Sequence, residues 1–138
     1  MKSELISAFE NAKYLVTEPE EIEIKINQKN KQLDSLLEKY RARSWAFITP
    51  FNPESKVVSP WVNAAQLGLL RMDVENYLSF DGIGRGQDEG SPLEKSLLIL
   101  KISRAKAAKF GRRYGQDAIV FGFLNKPAEI MVLNPNIH

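Results

Sequence analysis

The chain has 138 residues, 43% of them hydrophobic and 26% charged, which suits one soluble domain built around one core and excludes both a disordered chain and a membrane-embedded one. Cysteine is absent, so disulfides, thiolate metal sites and cysteine nucleophiles are excluded. The net charge of +2 is unevenly spread: residues 95–138 carry eight Lys and Arg against two acids, and residues 1–94 carry eleven against fifteen.

Ser3 is placed to cap a short helix running to about Ala12, with Leu5, Ile6 and Phe9 spaced to face inward. Glu4 and Glu10 interrupt the apolar stretch that a signal peptide needs, and no apolar run reaches the roughly 18–20 residues that span a bilayer. A cytoplasmic protein with no membrane association is expected. Tyr14 to Thr17 and Glu21 to Ile26 read as a hairpin around Glu18-Pro19-Glu20, because EIEIKI alternates isoleucines with charged residues. Between Asn30 and Ala42, Leu33, Leu36, Leu37 and Tyr40 form the stripe of a helix docked on a sheet. SWAFIT, residues 44–49, is apolar, aromatic and β-branched, and predicts an interior strand that Pro50 and Pro53 stop. Ser59-Pro60 then opens a helix to about Tyr77, with a capping hydroxyl before a proline whose missing N–H costs nothing.

LSFDGIGRGQDEGSPL, residues 78–93, reads as an irregular segment, either a flexible surface loop or a lid. Gly82, Gly84 and Gly86 suggest a phosphate loop, but Asp88 and Glu89 follow where a helix N-terminus would have to stand. SLLILKI, residues 96–102, predicts a strand buried on both faces. Ser103 caps the next helix, which runs to Tyr114 and ends at Gly115. AIVFGFL, residues 118–124, is a further buried strand, and Asn125-Lys126-Pro127 turns it into AEIMVL. A helix joining two strands predicts that 96–102 and 118–124 run parallel, with strand 44–49 antiparallel to them. The expected fold is therefore one α/β (α+β) domain over 1–138, a mixed sheet of about five to six strands with helices packed on it, one C-terminal β-α-β unit and a final hairpin.

FNPES, the Asn63 that follows it on a helix, the glycine-rich segment leading to LEKSLLILKIS, and AAKFGRRYGQDAIVFG together resemble domain-of-unknown-function family 3293. The resemblance covers about Arg43 to Gly122. Leu93, Lys95 and Asp117 depart from its pattern. It implies a small single-domain bacterial protein and no assigned activity.

Several polar residues admit two readings. Asn52 and Ser55 sit where such side chains bond a turn's own backbone, Asn63 where it helps satisfy the free N–H groups of a helix start, and Gln116 where it caps carbonyls at a helix end. Glu94 reads alternatively as an edge charge that discourages aggregation. The strand directions nonetheless bring the end of strand 44–49 to the starts of the two later strands. Thr49, Asn52, Ser55, Asn63, Glu94 and Gln116 then gather into one candidate ligand-binding site for a small molecule or a protein partner. The rival site is anion- or nucleic-acid-binding, on the exposed face of the basic helix: Lys106, Lys109, Arg112 and Arg113. Nucleic acid is disfavoured there because Phe110 and Tyr114 point inward instead of offering stacking surfaces. A third reading, hydrolysis with Glu94 as general base, requires burial that raises its pKa and an electrophilic partner. His138 is the only histidine, so no metal site, cofactor or assignable catalytic residue is expected.

Overall fold

A computed structural model describes residues 3–137 of the protein. His138 lies outside the described residues. Four helices and seven strands follow in the order α1 (Glu4–Asn11), β1 (Lys13–Val16), β2 (Ile22–Ile24), α2 (Lys31–Lys39), β3 (Ser44–Ile48), α3 (Pro60–Asp73), β4 (Ser79–Arg85), β5 (Leu93–Leu100), α4 (Arg104–Arg113), β6 (Ala118–Phe123) and β7 (Glu129–Val132). Ser3, Asn30, Ser59 and Ser103 each cap their helix by accepting an N–H three residues on.

The strands form one curled sheet in the order β2-β1-β4-β5-β3-β6-β7, and every named pair is antiparallel. β5 and β6 run in the same direction across α4, as the sequence predicts, but β3 lies between them and opposes both. The expected mixed sheet of five to six strands is thus corrected to an antiparallel sheet of seven. A lone parallel bridge between Ile26 and Ala128 brings the two ends of the sheet together.

The added strand is β4, from the segment read as irregular, and only residues 86–92 remain as its connection to β5. Glycines weaken a strand signal in sequence. Here they serve packing. Gly82 and Gly84 face the inside of the curl: a methyl at Gly82 would sit 2.6 Å from Phe47 Cε2 and 2.8 Å from the Leu15 carbonyl oxygen, whereas one at Gly84 would meet nothing closer than 3.8 Å. α3 ends at Asp73 rather than near Tyr77, because Val74 turns out of helical geometry and buries its side chain.

Alternation along the strands sends side chains to two cores where one was expected. Inside the curl, Tyr14, Val16, Ile22, Ile24, Trp45, Phe47, Leu98, Leu100 and Val120 pack with Leu33, Leu36 and Leu37 of α2. On the outer face, Ala46, Ile48, Leu97, Ile99, Ile119 and Phe121 pack against Leu67 and Leu70 of α3 and Ala107 and Phe110 of α4. Tyr114 Oη donates to Asp73 Oδ2 at 2.5 Å and Arg113 Nη1 to the same oxygen at 3.0 Å, which ties α4 to α3. Overpacking costs typically 1–3 kcal/mol. Gly82→Ala is expected to destabilise by about that amount while Gly84→Ala leaves the urea midpoint essentially unchanged. Equal losses in the two variants would contradict the packing described here.

Candidate functional site

The inner face of β5 carries Glu94, Ser96, Leu98 and Leu100 in alternation, so the face is polar where the strand starts and apolar where it ends. α2 closes the apolar end. At the polar end the inner face opens into a cavity of about 320 Å³, within the range typical of small-molecule pockets. Phe47, Tyr14 and Gly84 line it from the sheet, and Leu5, Ala8 and Phe9 of α1 cover it. The Tyr14 hydroxyl donates to the Phe9 carbonyl and so holds α1 over the opening. Burial, reinforced by the negative charge of Glu94, pushes the Tyr14 pKa up, which keeps that hydroxyl protonated as the donor.

Thr49, Asn52, Ser55, Glu94 and Gln116 all line this cavity. Their convergence follows from strand direction: Ile48 opposes Leu97 and Phe47 opposes Val120, so β3 ends where β5 and β6 begin. Asn63 stands behind them, buried and bonded to Asn52, beside an adjoining depression that Phe51 and Leu67 also line. The basic helix lies elsewhere. Its Ala107, Phe110, Gly111 and Tyr114 are buried, Lys106, Lys109, Arg112 and Arg113 are exposed, and Arg113 is paired with Asp73.

The turn after β3 holds the polar end together. Asn52, Glu54 and Ser55 adopt left-handed φ values of 51°, 57° and 61°. Asparagine tolerates this region better than most residues, yet such conformations cost of order 1–3 kcal/mol each and persist only where their surroundings over-determine them. Those surroundings come from the segment after α4. Gly115 is itself left-handed at φ 68°, and a methyl there would lie 2.8 Å from Pro53 Cβ, so glycine serves both the backbone turn and the close approach. The Glu54 N–H donates to the Gly115 carbonyl at 2.7 Å, Gln116 Nε2 to the Phe51 carbonyl at 3.0 Å, and Ser55 Oγ to Asp117 Oδ2 at 2.7 Å. Asp117 is buried, and its other carboxylate oxygen accepts from Asn134 Nδ2 at 2.8 Å.

A directed chain of hydrogen bonds runs through Asn52. Its backbone N–H donates to Asn63 Oδ1 at 2.9 Å, Asn63 Nδ2 donates to Asn52 Oδ1 at 3.0 Å, and Asn52 Nδ2 donates to Glu94 Oε2 at 2.8 Å. The Val58 N–H also donates to Asn52 Oδ1, at 3.2 Å. Two backbone donors therefore fix the orientation of both amides, and the last donor faces the carboxylate. Asn63 is thus not engaged with the start of its own helix as expected; it braces Asn52. Glu94 is not an edge charge either, since β5 lies between β4 and β3. Thr49 Oγ1 donates to the Lys95 carbonyl at 2.8 Å and accepts from the Phe51 N–H at 3.1 Å, locking the end of β3 to β5.

Burial raises the Glu94 pKa above its ordinary value, and the Asn52 hydrogen bond counteracts part of that rise. Among the described residues its Oε2 has only the Asn52 amide as partner, Oε1 has none, and no cation pairs with it. No group of three metal-ligating side chains occurs among the described residues. The sequence reading missed Phe9, Tyr14, Phe47 and Gly84, the cover and walls of the cavity. Gly84 alone carried a signal, a glycine repeating at the period of a strand.

Because the folded pKa of Glu94 lies above its unfolded value, the native state binds this proton more tightly, and stability is lost as pH rises from the unfolded pKa through the folded one. Glu94→Gln, which still accepts from Asn52, is expected to melt at or above wild type at neutral pH, with the advantage vanishing in acid. A variant that melts lower at neutral pH would contradict an unpaired carboxylate. Asn63→Ala strands the buried Asn52 N–H and is expected to cost about 1–3 kcal/mol in chemical denaturation.

No helix among the described residues is long and apolar enough to cross a membrane. Neither a curated protein nor a solved structure matches the chain. A family profile does match, over residues 48–119, the stretch that supplies Thr49, Asn52, Ser55, Asn63, Glu94 and Gln116, and by this match the chain belongs to the family described as Protein of unknown function (DUF3293).

Proposed function

We propose that the protein binds a small molecule in the cavity between α1 and the inner face of the sheet, with Glu94 as the polar contact and Thr49, Asn52, Ser55, Asn63 and Gln116 shaping its surroundings. The observation that carries this reading is the carboxylate of Glu94, partly buried at an otherwise largely apolar cavity, with one oxygen held by Asn52 and the other without a protein partner. An acid serving structure alone would be expected to find a cation or further donors, since burying an unpaired charge is unfavourable. A small apolar pocket with a few convergent polar groups is the usual form of a ligand site. The left-handed turn of residues 52–55 supports the same reading, because strained backbone concentrates at such sites.

The basic helix supports an anion site less well. Arg113 is committed to Asp73, Arg104 to Glu129, and Lys106, Lys109 and Arg112 lie on a convex helical face with Phe110 and Tyr114 buried behind them.

Gly84 gives a direct test, since a Cβ added there makes ordinary contacts with Ser96 Oγ and with the Glu94 and Lys13 carbonyls, none closer than 3.8 Å, and so enters without a clash. In a thermal-shift screen of small metabolites, at least one compound is expected to raise the melting temperature of wild type, as ligand binding to the native state must. Gly84→Val, filling the cavity while keeping a cooperative transition, is expected to abolish that shift. A shift that persists in the filled variant, or a broad screen with no active compound, would reject the cavity as the binding site.

A further inference from the structure

Resting on that reading, we propose that the ligand is a small organic cation: a compact apolar or aromatic body bearing a protonated amine that pairs with Glu94. Three independent features select the charge. The first is the direction of the hydrogen-bond chain. Backbone N–H groups of Asn52 and Val58 fix the Asn63 and Asn52 amides so that an N–H, not a carbonyl, meets Glu94. The site therefore presents Glu94 as a hydrogen-bond acceptor whose Oε1 stays open to a further donor, which an ammonium N–H supplies and an ionised carboxylate does not.

The second feature is the wall. Phe9, Tyr14 and Phe47 line the cavity, with Tyr14 and Phe47 packed edge to face at 5.9 Å between ring centroids. Aromatic faces attract cations, by roughly 0.5–2 kcal/mol depending on desolvation, and an acid combined with aromatic walls is the arrangement that recognises organic ammonium groups. The third feature is the distribution of positive charge. Among the described residues that line the cavity Arg85 is the one basic side chain, and it is exposed at the terminal position of β4. A ligand cation thus meets one carboxylate and little opposing charge. The cavity volume of about 320 Å³ admits a single ring with a short side chain.

Phenethylamine, 2-phenylethanol and 3-phenylpropionate share a phenyl body and differ in the charge of the head group. Titrated calorimetrically into the full-length protein at neutral pH, the amine is expected to bind about tenfold or more tightly than the alcohol, a gap of about 1.4 kcal/mol, and the carboxylate not at all. Glu94→Gln, verified as folded by its melting transition, is expected to reduce the amine to the level of the alcohol. Equal binding of amine and alcohol, preference for the carboxylate, or an amine preference that survives Glu94→Gln would each overturn the cation assignment while leaving a small-molecule cavity standing. Failure of all three probes at millimolar concentration would also overturn it. The metabolite screen with Gly84→Val decides the cavity itself separately.

Discussion

β3 is the strand on which the rest of the architecture depends. Five residues, Ser44–Ile48, lie between β5 and β6, oppose both, and send Trp45 and Phe47 to one core and Ala46 and Ile48 to the other. A slip of one residue in its register would exchange the two sets, placing the indole where the outer helices need an alanine. The register is therefore held from both faces at once. Gly122 completes the fit, since any side chain there would occupy the volume of the Trp45 ring. With β3 fixed, the position of Thr49 and the turn beyond it is fixed too.

Antiparallel pairing on both sides has a chemical corollary. One strand end is flanked by two strand beginnings, so three loops from distant parts of the sequence meet at a single rim. The rim is polar because those loops cannot satisfy their backbone through sheet pairing and instead use Asn52, Asn63, Ser55, Asp117 and Gln116. Asn52 carries most of the load, with bonds to Asn63, Val58 and Glu94 from one side chain and its own backbone N–H. This network stabilises an unfavourable backbone turn and at the same time holds an acid in a place that does not favour its charge. Stability is given up at Glu94 for a group poised toward an opening, a pattern expected of binding sites rather than of cores.

Much of this was legible in the residues themselves. The alternating EIEIKI, the helical stripe of Leu33, Leu36 and Leu37, and the capping serines Ser3, Ser59 and Ser103 each report local geometry, and local geometry is what period and capping chemistry encode. The gathering of Thr49, Asn52, Glu94 and Gln116 followed from strand direction alone. β4 was not legible, because Gly82 and Gly84 look like loop residues, and their purpose lies in the cavity and in Phe47, the latter more than thirty positions away in sequence. The partnership of Asn63 with Asn52 was hidden for the same reason: a side chain at a helix start has a local use, and only the three-dimensional turn reveals the other one. Phe9 reads as an ordinary inward-facing residue, and it does turn inward, except that part of what it faces is open space.

The bridge between Ile26 and Ala128 is where the curl meets itself, with the Asn27 N–H donating to the Ala128 carbonyl at 2.7 Å and the Ala128 N–H to the Gln28 carbonyl at 3.2 Å. This seam joins points about a hundred residues apart along the chain. Such non-local closure is entropically expensive before it yields any contact energy, and it places the domain among topologies that fold slowly. A ribosome that has released the first hundred residues has produced every strand except the pair, β6 and β7, on which closure waits. Until they emerge, the hydrophobic lining of the curl stays open to water and to other nascent chains.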